Sequence, residues 1–120
     1  LRGQVVARKI KIQKGTILSR EENFEKESDI NKIIIGEDGV EFIGNELVIL
    51  FEKGVTLAEV QSVAELIGGE VTGVDPDPPT YKIKIPTDTI DGINSAIQAI
   101  INAGNPLVIE VIPNFITILF

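Results

Sequence analysis

At Glu46 the chain turns from charged to an almost unbroken apolar run, ELVILF, and beyond Lys53-Gly54 the spacing of apolar positions changes from strand-like to helical. The run has the length of a strand, and Gly44-Asn45 and Lys53-Gly54 bound it. Thr56 then opens a helix. Its partner three residues on, Glu59, completes a capping box, in which each side chain satisfies a backbone amide of the other. Leu57, Val60, Val63, Ala64 and Ile67 fall on one helical face, and Gly68-Gly69 supply the stop.

Glu70–Val74 and Thr80–Ile85 read as two strands, the second alternating Tyr81, Ile83 and Ile85 with Lys82 and Lys84. Between them DPDPP should interrupt regular structure, because each proline removes an amide donor and fixes φ. Asp75 and Asp77 there are too few carboxylates for a calcium cage, so no metal ligand is assigned. A second helix follows, capped by Asp88 or Thr89, with Asp91 in its positive first turn. Ile90, Ile93, Ile97, Ile100 and Ile101 form its expected buried stripe, and Gly104 ends it. LVIEVI, residues 107–112, makes a last strand that Pro113 should stop.

Before Asn45 the pattern is weaker. GQVVARKIKI, residues 3–12, alternates as a strand with Val6, Ile10 and Ile12 on one face. Residues 14–32 are charge-dense and read as a loop or short helical turn, the acidic run Glu21–Glu27 being a solvated surface. Ile33–Ile35 and Val40–Ile43 form a hairpin around Gly36–Gly39. Two parts emerge: an N-terminal β-rich extension, 1–44, and a domain, 45–120, with a tail at 115–120. From Asn45 the order is strand, helix, strand, strand, helix, strand. Right-handed crossovers turn that order into an α+β, ferredoxin-like split β-α-β sheet, antiparallel, with both helices on one face.

Composition narrows the chemistry. Eleven basic against eighteen acidic side chains give a net charge of -7, which repels phosphate backbones, and one Tyr with no Trp offers little for bases to stack on. No nucleic-acid partner is expected. No apolar run reaches the length of a membrane span. With no His and no Cys, the commonest general base, zinc ligands and thiol nucleophile are missing. None of the four serines lies in a G-x-S-x-G or S-x-x-K setting, so the domain itself is expected to be non-catalytic and to need no cofactor. Starting at Leu1 without an initiator Met, the chain reads as an excised or processed piece.

The most unusual stretch is the last. FITILF, residues 115–120, holds one hydroxyl and no charge where a terminus is normally polar. Left exposed, it would self-associate. Two burials are open to it: pairing within its own sheet or with the strand at 3–12, or docking into a partner.

Residues 45–114 resemble the prodomain of subtilisin-like serine proteases. The likeness is carried by NELVILFEKG, by the LAEVQSVAELIGGEV helix-and-strand passage, by the proline-containing turn, and by VIEVIPN after the Ile-rich helix. It implies a secreted or cell-surface parent, and an inhibitor and folding aid for a subtilisin-like protease domain in cis or in trans. It also implies that the tail enters the substrate cleft. Phe120 would fill the primary specificity pocket, with Leu119, Ile118 and Thr117 in the next three subsites; Thr117 departs from the small or apolar residue usual there. Extended, residues 115–120 span roughly 20 Å at about 3.3 Å per residue, enough to line a cleft. Asn114 matches the position that caps helix N-termini of the partner, but as an amide rather than a carboxylate, and Glu110 is a weak substitute. The alternative is a ferredoxin-like regulatory or protein-interaction module of a larger surface protein, since one fold serves many functions.

Overall fold

A computed structural model of the chain describes residues 4–7, 24–25 and 28–119. It is an α+β structure in which two helices cover one face of an antiparallel sheet. Among the described residues there are seven strands: β1 (Gln4–Ala7), β2 (Phe24–Glu25), β3 (Ile33–Ile35), β4 (Glu41–Phe51), β5 (Glu70–Pro76), β6 (Pro79–Lys84) and β7 (Val108–Leu119). Helix α1 spans Leu57–Glu65 and α2 spans Ile90–Ala103. The strands connect in the order β1-β7-β4-β6-β5-β2, with β3 on β4, and every pairing is antiparallel.

The helices form where their caps and stripes direct. Thr56 Oγ1 accepts from the Glu59 amide while the Glu59 carboxylate accepts from the Thr56 amide, so the capping box closes. Thr89 caps α2 by accepting from the Gly92 amide, which decides between the two expected caps. Gly104 ends α2 at φ 64, a left-handed conformation glycine adopts without a side-chain clash. Val60, Val63, Ala64, Ile93, Ala96 and Ile100 are buried in one cluster with Leu47, Ile49, Phe51, Val74, Tyr81 and Ile83. Because Leu47 lies opposite Ile83 and Ile49 opposite Tyr81, these sheet residues share a face, and both helices sit on it. Ile101 corrects the expected stripe: it is 56% exposed, and Ala96 takes the buried place, because 93, 96 and 100 follow the core-facing line and 101 turns about 100° away.

Three strand boundaries differ from expectation, each because the sheet tolerates a local irregularity. The break expected at Gly44-Asn45, between the hairpin arm Val40–Ile43 and the strand over 46–51, falls inside β4, which runs from Glu41 to Phe51. Its register with β7 jumps between Ile43 and Leu47, so Gly44, Asn45 and Glu46 bulge out of the ladder. A Cβ on Gly44 would collide with the Ile34 side chain, which explains the glycine there. Pro113 does not stop the last strand. It lies opposite Leu47 at the edge of that same bulge, where a missing amide is tolerated, and β7 continues to Leu119. DPDPP does not break β5 from β6 outside the sheet either: Pro76 pairs with Pro79, and the turn is Asp77 and Pro78 alone, joined by a cis peptide.

In the N-terminal part the Ile33–Ile35 hairpin forms as expected, with Gly39 at φ 82 in its turn. Within 14–32, Phe24–Glu25 is a strand on β5 and Ile30–Lys32 a 3₁₀ turn capped by Asp29. Ile10, Ile12, the run Glu21–Asn23 and Phe120 lie outside the described residues.

Candidate functional site

Two features stand apart from the apolar core: the strand that carries the C-terminal tail, and a buried polar cluster on the sheet face opposite the helices. In β7, Val108 to Phe115 pair with β4, and Phe115 meets Phe42 edge to face at 6.5 Å. Past Phe115 the strand outruns β4 and its ladder partner changes to β1: Ile116 faces Ala7, Thr117 faces Val6, Ile118 faces Val5 and Leu119 faces Gln4. The residues expected to enter a protease cleft, Thr117, Ile118 and Leu119, are therefore held as a strand by the N-terminal segment of the same chain. Phe120 lies outside the described residues. Of the two burials the sequence leaves open for the tail, pairing with the strand at 3–12 is the one this conformation adopts.

The second feature follows from strand alternation. With Leu47 and Ile49 turned to the helices, Glu46, Val48 and Lys82 face the other way, and all three are buried. Glu46 Oε1 accepts from Asn114 Nδ2 at 2.6 Å and from Ser28 Oγ at 2.8 Å, while Lys82 Nζ lies 3.9 Å from Glu46 Oε2 and 3.4 Å from Ser28 Oγ. Thr72 Oγ1 closes the cluster by donating to the Lys82 carbonyl. Charges withdrawn from water this far persist only with partners of this kind. Asn114, expected to cap a partner's helices, is instead 0% exposed, and its amide is spent on Glu46, which it can reach because the β4 bulge brings Glu46 beside the end of the β4–β7 ladder. Its Oδ1 and that of Asn45 are buried with no hydrogen-bond partner.

Sequence reasoning did not single out Glu46, Lys82 or Ser28. Among the described residues, hollows also border the sheet. One, about 250 Å³, is lined by Lys32, Asn45, Ile85, Pro86, Thr87 and Asp88, with the Lys32–Asp88 ion pair, 2.8 Å long, among its lining residues. Another, about 360 Å³, lies between the turn before α1 and the β5–β6 hairpin and is bordered by Tyr81, whose phenol burial pushes above its usual range. Among the described residues no group of three or more His, Cys, Asp or Glu is placed to hold a metal ion, and no helix is long and apolar enough to cross a membrane. No family model matches the chain, and no curated protein or solved structure matches it.

Proposed function

We propose that this domain is a non-catalytic, propeptide-like module that inhibits a subtilisin-like serine protease and assists its folding, with its C-terminal strand occupying the substrate cleft. The observation that carries the reading is that β7 does not end with β4: it passes the last β4 pair at Phe115 and continues as extended backbone through Leu119. A strand delivered in this way suits a cleft that binds by strand addition, where main-chain bonds give affinity and alternate side chains enter pockets. The strand order β7-β4-β6-β5, with both helices on one face, supports a ferredoxin-like split β-α-β arrangement, which this reading shares with the second one. Holding the tail on a folded body lowers the entropy cost of binding. Asn114 acts from inside, fixing the root of the tail through Glu46 rather than touching the partner.

One observation favours the second reading, a ferredoxin-like interaction module of a larger surface protein: the tail already has a ladder partner in β1. A single assay separates the two. The full chain is added to a generic subtilisin and peptide hydrolysis is followed, beside a truncation after Phe115, which keeps the ring contact with Phe42. The propeptide reading expects inhibition that weakens at least about tenfold on truncation, a difference of about 1.4 kcal/mol in binding, with the circular dichroism unchanged. Two folded but equally inert proteins, across several subtilisin-like enzymes, would overturn it in favour of the second.

A further inference from the structure

We infer that β1 is an exchangeable strand that gates the C-terminal segment: a strand that adds to the edge of residues 116–119 held by β1 must first displace Gln4–Ala7. The inference rests on the propeptide-like reading for the identity of that partner, an extended strand of a protease cleft, but the gate itself rests on the ladder. Three observations carry it. The ladder is only four residues long, Gln4–Ala7 against Ile116–Leu119. It lies wholly beyond the β4–β7 ladder, whose last pair is Phe42 with Phe115, so its loss leaves the pairing of the central strands intact. Among the described residues β1 pairs with no other strand, and so has no second ladder to hold it in place.

A short antiparallel ladder at the margin of a sheet belongs to the low-stability end of a protein, the part that opens without global unfolding. The same backbone groups of 116–119 that bond to β1 are those that strand addition by a partner would use, so at that edge the two pairings exclude each other. The consequence is a population tax. If the ladder is closed nine-tenths of the time, the apparent affinity of the tail for its partner falls about tenfold, and removing β1 restores it.

The test compares the full chain with a deletion of residues 1–7 and with Val5→Pro and Val6→Pro. Alternate residues of an antiparallel strand send their amides to the neighbour, so one of the two prolines removes a ladder bond while the other serves as its control. The prolines also cover the case in which the deletion fails to fold. Amide hydrogen exchange at 116–119 should be slow in the full chain and at least about tenfold faster in the deletion and in the ladder-breaking proline variant. Inhibition of the subtilisin should tighten about tenfold in the same two proteins. Equal exchange in all four proteins would overturn the gate, and so, where the full chain inhibits, would faster exchange with unchanged inhibition.

If none of the proteins inhibits, the propeptide reading falls, and the gate is judged separately. A synthetic peptide with the sequence of residues 1–10 is added to the deletion protein. Renewed protection of the 116–119 amides supports an exchangeable strand, and no protection overturns it.

Discussion

The two faces of one sheet are closed by different physics. Toward the helices, Leu47, Ile49, Phe51, Tyr81 and Ile83 meet Val60, Val63, Ile93 and Ile100, and little matters beyond apolar volume and shape. On the opposite face β4, β6 and β7 bury Glu46, Lys82 and Asn114 beside Val48, and there direction and charge decide as well as volume. Residues of the first face can exchange neighbours of similar size at modest cost. On the second, each group is tolerated only because a named partner is within reach, and Ser28, from outside the strands, supplies part of that partnership. The extension is thus tied to the domain through polar bonds as well as through the apolar core, which Phe42 joins and Ile34 packs against.

The contrast breaks most visibly where one residue carries the most contact. Phe51 is 1% exposed and stacks edge to face on Tyr81 at 5.5 Å, so Phe51→Ala should cost about 3–5 kcal/mol by urea unfolding. Lys82→Met should cost nearly as much, about 3 kcal/mol, although it keeps an aliphatic stem in place, because Glu46 keeps its buried charge and loses the nearby cation. Adding Glu46→Leu to Lys82→Met should recover part of that loss, since an apolar pair of similar volume can replace a buried ion pair. No second substitution of comparable size rescues Phe51→Ala. If the double variant is less stable than Lys82→Met alone, the second face is not held by the pair.

How far each face could be read from the sequence follows the same division. The helical face was legible because its signals are local: a capping box three residues apart, stripes at helical spacing, a glycine after each helix. Ile101 misled only because an isoleucine-rich helix offers more apolar positions than one face can bury. The polar face was not legible. Glu46 and Lys82 look like ordinary solvent-facing members of alternating strands, and their meeting depends on a register between β4 and β6 that no local pattern states. Asn114 reaches Glu46 only because three residues bulge from β4, and Pro113 hides that bulge by reading as a strand terminator. For the tail, its extended form was legible from FITILF, but which strand pairs with it was not, because pairing across more than a hundred residues leaves no mark on either segment.

Smaller effects sharpen the comparison. Asn114→Ala removes one of two donors to Glu46 Oε1 while Ser28 remains, and should cost about 1–3 kcal/mol, more than an exposed asparagine would. Thr56→Ala removes the α1 cap at a solvent-exposed site and should cost about 1 kcal/mol, with the loss read as a lower unfolding midpoint at unchanged slope.

The smallest effect belongs to the exposed counterpart of the buried pair. Lys32 and Asp88 meet at 2.8 Å, closer than Lys82 and Glu46 at 3.9 Å, yet both ends stand in water with 41% and 49% of their side chains exposed. The hydrogen bond and charge of Lys32 hold the Asp88 carboxyl below its usual range, and Asp88 raises the Lys32 ammonium in return. A carboxyl lowered in the folded state adds stability above its ordinary range and loses it as pH falls through the lowered value. An ammonium raised in the folded state adds stability below its ordinary range and loses it as pH climbs through the raised value. The pair therefore contributes across the neutral plateau and fades at both ends. Asp88→Asn should narrow the gap to the wild type as pH falls toward acid, and 1 M salt should largely remove that gap at pH 7, since exposed charges are screened. Lys82→Met should keep nearly its whole deficit in the same salt, because its charges lie where counterions do not reach. Equal salt sensitivity in the two variants would mean that the second face is wet, and that its distinction from an ordinary surface rests on geometry alone.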